Sequence, residues 1–155
     1  MRAAAGFLLL RVRDTCYTRR MRVGRLFSGY GGLDMAVLAV LGLRPDAITW
    51  HSDIKPASVR LLEHRFPDVP NLGDITVRFP SAVGTCPVVD DVELVDVLAF
   101  SWPCQPHSAA GKRLGKDDPR ALWPNIARAI HTLRPAILFG ENVARITTNG
   151  ELRRV

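Results

Sequence analysis

From Met21 onward, short apolar runs alternate with stretches of helical periodicity, and this alternation restricts the fold more than any other feature. The apolar runs are short enough to be strands, and turns rich in glycine, proline or polar residues separate them from the helical stretches. The pattern predicts strands over residues 23–27, 47–50, 71–75, 95–100 and 136–140, and helices over residues 33–41, 56–65 and 122–133. Strands that alternate with helices in this way predict an α/β fold with a parallel, doubly wound sheet.

The first twenty residues differ from the rest of the chain. Residues 1–25 carry seven arginines and one acid, whereas the remaining residues carry fourteen basic and fourteen acidic side chains. The net charge of +6 therefore belongs to the N-terminus and is not taken as a sign of nucleic-acid binding. We expect a basic, disordered extension over residues 1–20 and one folded domain over residues 21–155, since 155 residues suit a single domain.

The cysteines and histidines indicate neither a disulfide framework nor a metal site. Cys16, Cys86 and Cys104 form no C-x-x-C pair, and the four histidines have no ligand spacing. The longest apolar run near the start, residues 3–10, is too short to cross a bilayer. We therefore expect no metal, no membrane span and a reducing, cytoplasmic setting.

A glycine loop and an acid suggest a cofactor that contains a nucleoside. The sequence FSGYGG at residues 27–32 lies between a predicted strand and a predicted helix, where glycines let a ligand approach the backbone. Asp53 closes the next strand, 21 residues after Gly32, and an acid at about that distance binds ribose hydroxyls in nucleoside-binding sheets. The alternative for the loop alone is a turn that only packs a helix.

Three more residues follow predicted strands at the edge where open α/β sheets bind ligands. Asp74 can accept a hydrogen bond from an exocyclic amine, or it can simply cap a turn. Cys104 can be a nucleophile if nearby positive charge lowers its pKa, or it can be a small buried apolar residue. Glu141 can exchange protons near that nucleophile, or it can be an exposed loop residue.

Taken together, these motifs resemble the N-terminal part of the DNA (cytosine-5-)-methyltransferases. The resemblance covers residues 21–149 and runs in order through FSGYGG at 27–32, SD at 52–53, GDI at 73–75, PCQPHSAAGKRLG at 103–115 and ENV at 141–143. It implies a Rossmann-like fold that binds S-adenosylmethionine and acts on double-stranded DNA, with Cys104 adding to a flipped-out cytosine and Glu141 contacting that base. The residues it assigns to the cofactor are Phe27, Gly29, Gly31, Gly32, Leu33, Asp53 (ribose), Ile54, Asp74 and Ile75 (adenine), and Pro103.

The chain also departs from the family pattern. Ser101 and Trp102 stand where the family more often has a glycine turn, and Asp53 replaces a common glutamate. The family's later arginine motif, target-recognition domain and C-terminal segment are not in this sequence, so the resemblance implies a catalytic domain incomplete at its C-terminus. The alternatives are a non-catalytic module that binds S-adenosylmethionine or DNA, and one subunit of a split methyltransferase completed by a C-terminal fragment. In either case we expect a bacterial or phage protein in the cytoplasm, and an exposed apolar edge at residues 137–139.

Overall fold

The computed structural model describes residues 21–82, 84–103 and 121–143, together with the backbone of residues 5–11. Five strands and four α-helices are present in these ranges, with a short 3-10 turn at Pro45–Ala47. The strands are β1 (Ala5–Arg11), β2 (Val23–Leu26), β3 (Ile48–Ser52), β4 (Val97–Ser101) and β5 (Ile137–Val143). The helices are α1 (Gly32–Leu41), α2 (Pro56–Arg65), α3 (Ile75–Arg78) and α4 (Trp123–Leu133).

All five strands form one sheet in the order β1-β5-β4-β2-β3. Strands β2, β3, β4 and β5 are parallel, and β1 alone runs antiparallel. Because successive strand residues point to opposite faces, each face of the sheet has its own core. Leu98 and Phe100 pack with α3 and α4 on one face, whereas Val97 and Ala99 pack with α1 on the other. The predicted parallel, doubly wound α/β fold is therefore confirmed.

Most predicted elements are present with small shifts at their ends, and the predicted third strand is wrong. In the region 71–75, only Asn71 forms a bridge, with His51 of β3. Gly73 then turns the chain with φ of +72°, and Asp74 caps α3, which begins at Ile75. A left-handed glycine followed by a capping aspartate stops a strand after one residue and starts a helix.

The N-terminal segment differs most from expectation. Residues 5–11 form β1, which pairs along the outer edge of β5 from Ala5 opposite Val143 to Arg11 opposite Ile137. A disordered extension over the whole of residues 1–20 is therefore wrong, and so is the exposed edge: Ile137 and Leu138 are buried, and Phe139 is half-buried. An edge strand presents a row of unpaired N–H and C=O groups, and an apolar segment of the same chain can satisfy them. In the ranges given above, no helix is long and apolar enough to cross a membrane.

Candidate functional site

The candidate site lies along the carboxyl ends of the four parallel strands. In the order of the sheet, β5 contributes Glu141, β4 leads to Pro103, β2 leads to the glycine loop at residues 27–32, and β3 leads to Asp53. The sheet therefore brings to one edge groups that lie far apart in the sequence.

The glycine loop has a strained backbone immediately after β2. Phe27, Gly29 and Gly31 have φ values of +56°, +53° and +81°. Glycine adopts such angles freely, but a phenylalanine does so at a cost of about 1–3 kcal/mol, and such residues cluster at functional sites. The loop is held by the Phe27 N–H, which donates to the Ser52 carbonyl at 2.7 Å, and by the Gly31 N–H, which donates to the Ser28 carbonyl at 2.8 Å.

Asp53 connects this loop to β3. Its Oδ2 accepts a hydrogen bond from the Gly29 N–H at 2.8 Å, and its Oδ1 accepts one from the Lys55 N–H at 2.8 Å. The carboxyl group is nearly buried, with 8% of the residue exposed. Since each carboxylate oxygen has two lone pairs, both oxygens can accept a further hydrogen bond from a ligand hydroxyl.

Asn71 holds Asp53 in place, and our sequence reasoning missed it. Its Oδ1 accepts hydrogen bonds from the Asp53 N–H and the Gly73 N–H, each at 3.1 Å, and its Nδ2 donates to the Asp53 carbonyl at 3.0 Å. One amide therefore joins the turn after β3 to the turn before α3. The available signal was its place two residues before Gly73, where an asparagine side chain can bind its own backbone.

The remaining residues assigned to the cofactor differ in how far their side chains are exposed and in the hydrogen bonds that they already make. Asp74 accepts hydrogen bonds from the backbone N–H and the hydroxyl of Thr76, both through Oδ1 at 2.8 Å, so it acts as a helix cap here. The Ile75 side chain is buried in the core on the face of the sheet that α3 and α4 cover. Leu33 of α1 is half-buried against the core on the opposite face. Ile54 is 64% exposed and offers an apolar surface beside Asp53.

At the other end of the edge, Glu141 is tied to β4. Ser101 and Glu141 are register partners in β4 and β5, and the Ser101 hydroxyl donates to Oε2 of Glu141 at 2.6 Å. Next to this pair, the buried Nδ2 of Asn142 donates to the Trp102 carbonyl at 3.0 Å. Pro103 follows and is half-buried, whereas Cys104 lies outside the described residues. The structure thus joins ENV to the residues just before the cysteine motif.

Beneath the glycine loop lies a buried polar cluster that sequence reasoning also missed: Arg25, Asp34 and His51. Nη1 of Arg25 is 3.2 Å from Oδ2 of Asp34, and its Nη2 is 3.5 Å from Nδ1 of His51. All three residues are at most 3% exposed. A signal was present in the sequence, because an arginine in the middle of an apolar parallel strand is rarely buried without a partner.

Burial dominates the ionisation of this cluster. It raises the pKa of Asp34 from 3.8 to about 6, an effect that Arg25 opposes and Asp53 reinforces. Burial also lowers the pKa of His51 from 6.5 to about 4, with Arg25 acting in the same direction and Asp53 against it. Near neutral pH, Asp34 is therefore charged opposite Arg25, while His51 is neutral.

Comparison with known proteins identifies the family. The model of the C-5 cytosine-specific DNA methylases matches residues 21–154. The chain belongs to this family. Its match spans the glycine loop, Asp53 and Glu141, all at the edge described above.

The similar proteins are methyltransferases by name, and one of them is named for adenine rather than cytosine. Type II methyltransferase M.NlaIV of Neisseria lactamica is 36% identical over 127 residues, which are 80% of this chain and 28% of that protein. A DNA N-6-adenine-methyltransferase of Escherichia phage P1 is 33% identical over 150 residues, which are 90% of this chain and 18% of that protein. The structure of a DNMT2 mutant of Spodoptera frugiperda superposes with a TM-score of 0.52 at 26% identity, over 83% of this chain and 37% of that one. The chain thus spans well under half of each of these proteins.

Proposed function

We propose that this chain binds S-adenosylmethionine and forms the catalytic part of a DNA methyltransferase that acts on carbon 5 of cytosine. The observation that carries the proposal is the shared edge of the sheet, where the strained glycine loop lies two strands from Glu141 and Asp53 lies three strands from it. Such an edge is where open α/β sheets bind nucleoside ligands.

The residues at the loop fit the proposed cofactor. The Ser28 hydroxyl is buried and has no hydrogen-bond partner among the described residues, so a polar group of a ligand can satisfy it. The space around Gly32 is open, since an added Cβ would meet nothing within 4 Å. Asp53 would accept from the ribose hydroxyls, and the exposed Ile54 would cover an apolar face of the adenine. When bound, S-adenosylmethionine supplies an electrophilic methyl group.

Asp74 and Ile75 would complete the adenine site. Both hydrogen bonds from Thr76 reach Oδ1 of Asp74, and Oδ2 would accept from the exocyclic amine. Ile75 would contribute through its backbone, because its side chain packs in the core. Phe27, Leu33 and Pro103 would border the site from β2, α1 and β4.

Cys104 and Glu141 would act on the target base. The Cys104 thiolate would add to carbon 6 of a cytosine flipped out of double-stranded DNA, and the electron pair of the C5–C6 double bond would move toward carbon 5 and the ring nitrogen N3. Glu141 would assist protonation at N3, with Oε2 held by Ser101 and Oε1 directed to the base. Once carbon 5 carries the methyl group that the cofactor supplies, loss of the carbon 5 proton to a base would restore the C5–C6 double bond and release the thiolate from carbon 6.

Two alternatives remain within the same family. The chain could be a non-catalytic module that binds S-adenosylmethionine or DNA, or one subunit of a methyltransferase completed by a second fragment. Both alternatives are consistent with the chain spanning 18% of one relative and 28% of another. The type II names of several relatives suggest a role in restriction-modification.

Calorimetry with S-adenosylhomocysteine tests the cofactor site. Asp53→Ala removes the proposed ribose acceptor and the contact with Gly29, so the affinity should fall by about 10- to 100-fold, as expected for losing hydrogen bonds to a charged group. Asp68→Ala, at an exposed position after α2, is the matched control and should bind like the wild type. Equal affinities for the wild type and Asp53→Ala would refute the assignment.

Trapping on DNA tests the nucleophile. DNA containing 5-fluorocytosine should form a covalent adduct with the chain, alone or mixed with the part of a relative that this chain does not span, because fluorine cannot leave as a proton does. Cys104→Ser should abolish the adduct, whereas Cys86→Ser, at an exposed cysteine, should keep it. Binding of S-adenosylhomocysteine without an adduct in any mixture would favour the non-catalytic module.

A further inference from the structure

Arg25 is a charged residue on an inner strand of the sheet. It lies in the middle of β2, its exposure is 0%, and its neighbours in the strand are apolar or glycine. Its guanidinium contacts three other segments: Asp34 of α1 at 3.2 Å, His51 of β3 at 3.5 Å, and the ring of Phe66, just after α2, at 4.6 Å from the ring centroid. A fully buried arginine is rare, and this one joins four parts of the fold.

These contacts lie directly beneath the glycine loop. Asp34 is in the first turn of α1, and its Oδ2 is 3.9 Å from where a Cβ on Gly31 would lie. His51 precedes Asp53 by two residues in the strand that anchors the loop. The ion pair therefore connects the helix that begins at the loop with the strands on which the loop rests.

Stability alone does not account for a buried ion pair here. Replacing such a pair with apolar side chains of similar volume is often neutral or stabilising, because two charges must be taken out of water. The geometry of the pair is not that of a hydrogen bond: Nε and Nη1 of Arg25, Oδ2 of Asp34 and Nε2 of His51 have no hydrogen-bond partner among the described residues, so charge and proximity hold the pair. What the pair adds is an attraction between opposite charges, which is strong where water is excluded and which holds the first turn of α1 close to β2. A loop with left-handed angles at Phe27, Gly29 and Gly31 needs such external restraint.

We infer that Arg25 and Asp34 are positioning residues for the cofactor site. Their buried ion pair fixes the first turn of α1 against β2 and β3. It thereby holds the glycine loop at residues 27–32 at the distance from Asp53 that the cofactor requires. This inference rests on the proposed function, because it assigns the loop to S-adenosylmethionine.

The test replaces both charges in the full 155-residue chain by apolar side chains, as Arg25→Met with Asp34→Leu. Calorimetry with S-adenosylhomocysteine should show binding weaker by about 10- to 100-fold, the loss expected when supporting residues no longer hold a site in place. Urea denaturation should show that the double variant still unfolds cooperatively. Val37→Ala is the control. Val37 is a buried residue of the same helix, and its replacement by alanine creates a cavity without removing either charge of the ion pair. It should lower stability and keep the wild-type affinity.

Amide hydrogen exchange gives a second readout that needs no ligand. The Gly29 N–H, which donates to Asp53, and the Gly31 N–H, which donates to Ser28, should exchange faster in the double variant, while the amides of β4 should not change. If the wild type fails to bind S-adenosylhomocysteine but the loop amides still exchange faster in the double variant than in the wild type, the proposed cofactor is refuted and the positioning of the loop by Arg25 and Asp34 stands. A folded double variant with wild-type loop exchange and wild-type affinity would overturn the inference, and so would an equal loss of affinity in Val37→Ala.

Discussion

Replacing His51 with glutamine should make the folded protein more resistant to acid. His51 is completely buried in β3, and burial lowers the pKa of its imidazole from 6.5 to about 4. As the pH falls through 6.5, the unfolded chain takes up a proton on this ring, whereas the folded protein does so only near pH 4. The stability that His51 contributes is therefore present above pH 6.5 and is lost as the pH falls toward 4.

Asp34 has the opposite effect in the wild type. Burial raises the pKa of its carboxyl group from 3.8 to about 6, so the folded protein takes up this proton first. The stability contributed by Asp34 is present below pH 3.8 and is lost as the pH rises through 6. Each shift of about two pKa units corresponds to about 3 kcal/mol, so the two contributions largely cancel between pH 6.5 and 4.

His51→Gln removes one of these two contributions and leaves the other. From about pH 7 to about pH 4.5, the free energy of unfolding of the variant relative to the wild type should rise by about 2–3 kcal/mol. The comparison with the wild type cancels the contribution of the other carboxyl groups. This difference in the free energy of unfolding is measured by urea titration with tryptophan fluorescence as the signal, because Trp50, Trp102 and Trp123 are all buried.

His64→Gln, at an exposed position of α2, controls for the chemical change itself. A difference between His51→Gln and the wild type that stays constant over this pH range would refute the reasoning. It would mean that His51 takes up its proton equally in the folded and unfolded states.

Three further perturbations test the packing around the site. An added Cβ on Gly140 would lie 2.8 Å from the Phe100 ring, so Gly140→Ala should lower the free energy of unfolding in urea by about 1–3 kcal/mol, while Gly32→Ala, in open space, should cost far less. Deleting residues 1–20 removes β1 and leaves the edge of β5 unpaired, so the shortened protein should self-associate at about 10–100 μM in analytical ultracentrifugation; a monomer at these concentrations would show that the edge is protected without β1. Ser101→Ala removes the hydrogen bond to Glu141, so one of the four glutamate carboxyl signals in a ¹³C NMR spectrum should move, and Ser101→Thr should restore it; four unchanged signals would contradict the contact.

Local sequence patterns predicted the elements that depend on local chemistry. Helix α2 has the predicted limits, since a proline at residue 56 starts it and the apolar spacing that includes Leu62 defines its buried side. The strand predicted over residues 71–75 is wrong because local chemistry there was misread. The apolar residues suggested a strand, but the left-handed Gly73 and the capping Asp74 end it and start a helix. For the candidate site, Asp53 follows its strand as the sequence predicts, whereas Glu141 was predicted to follow β5 and instead lies within it, because β5 continues to Val143. The partners that orient these two residues were not visible in the sequence.

The sequence by itself determined the parallel α/β architecture, the positions of the glycine loop after β2 and of Asp53 after β3, and the family. The architecture and these positions follow from the spacing of apolar residues and from turn chemistry, which act over a few residues, whereas the family follows from the resemblance of the ordered motifs. Only the tertiary structure decided that β1 covers β5, that Ser101 holds Glu141, and that Arg25 meets Asp34 beneath the glycine loop. Which strands become neighbours, and which charges lose their water, depend on the packing of the whole chain, and no local pattern carries that information.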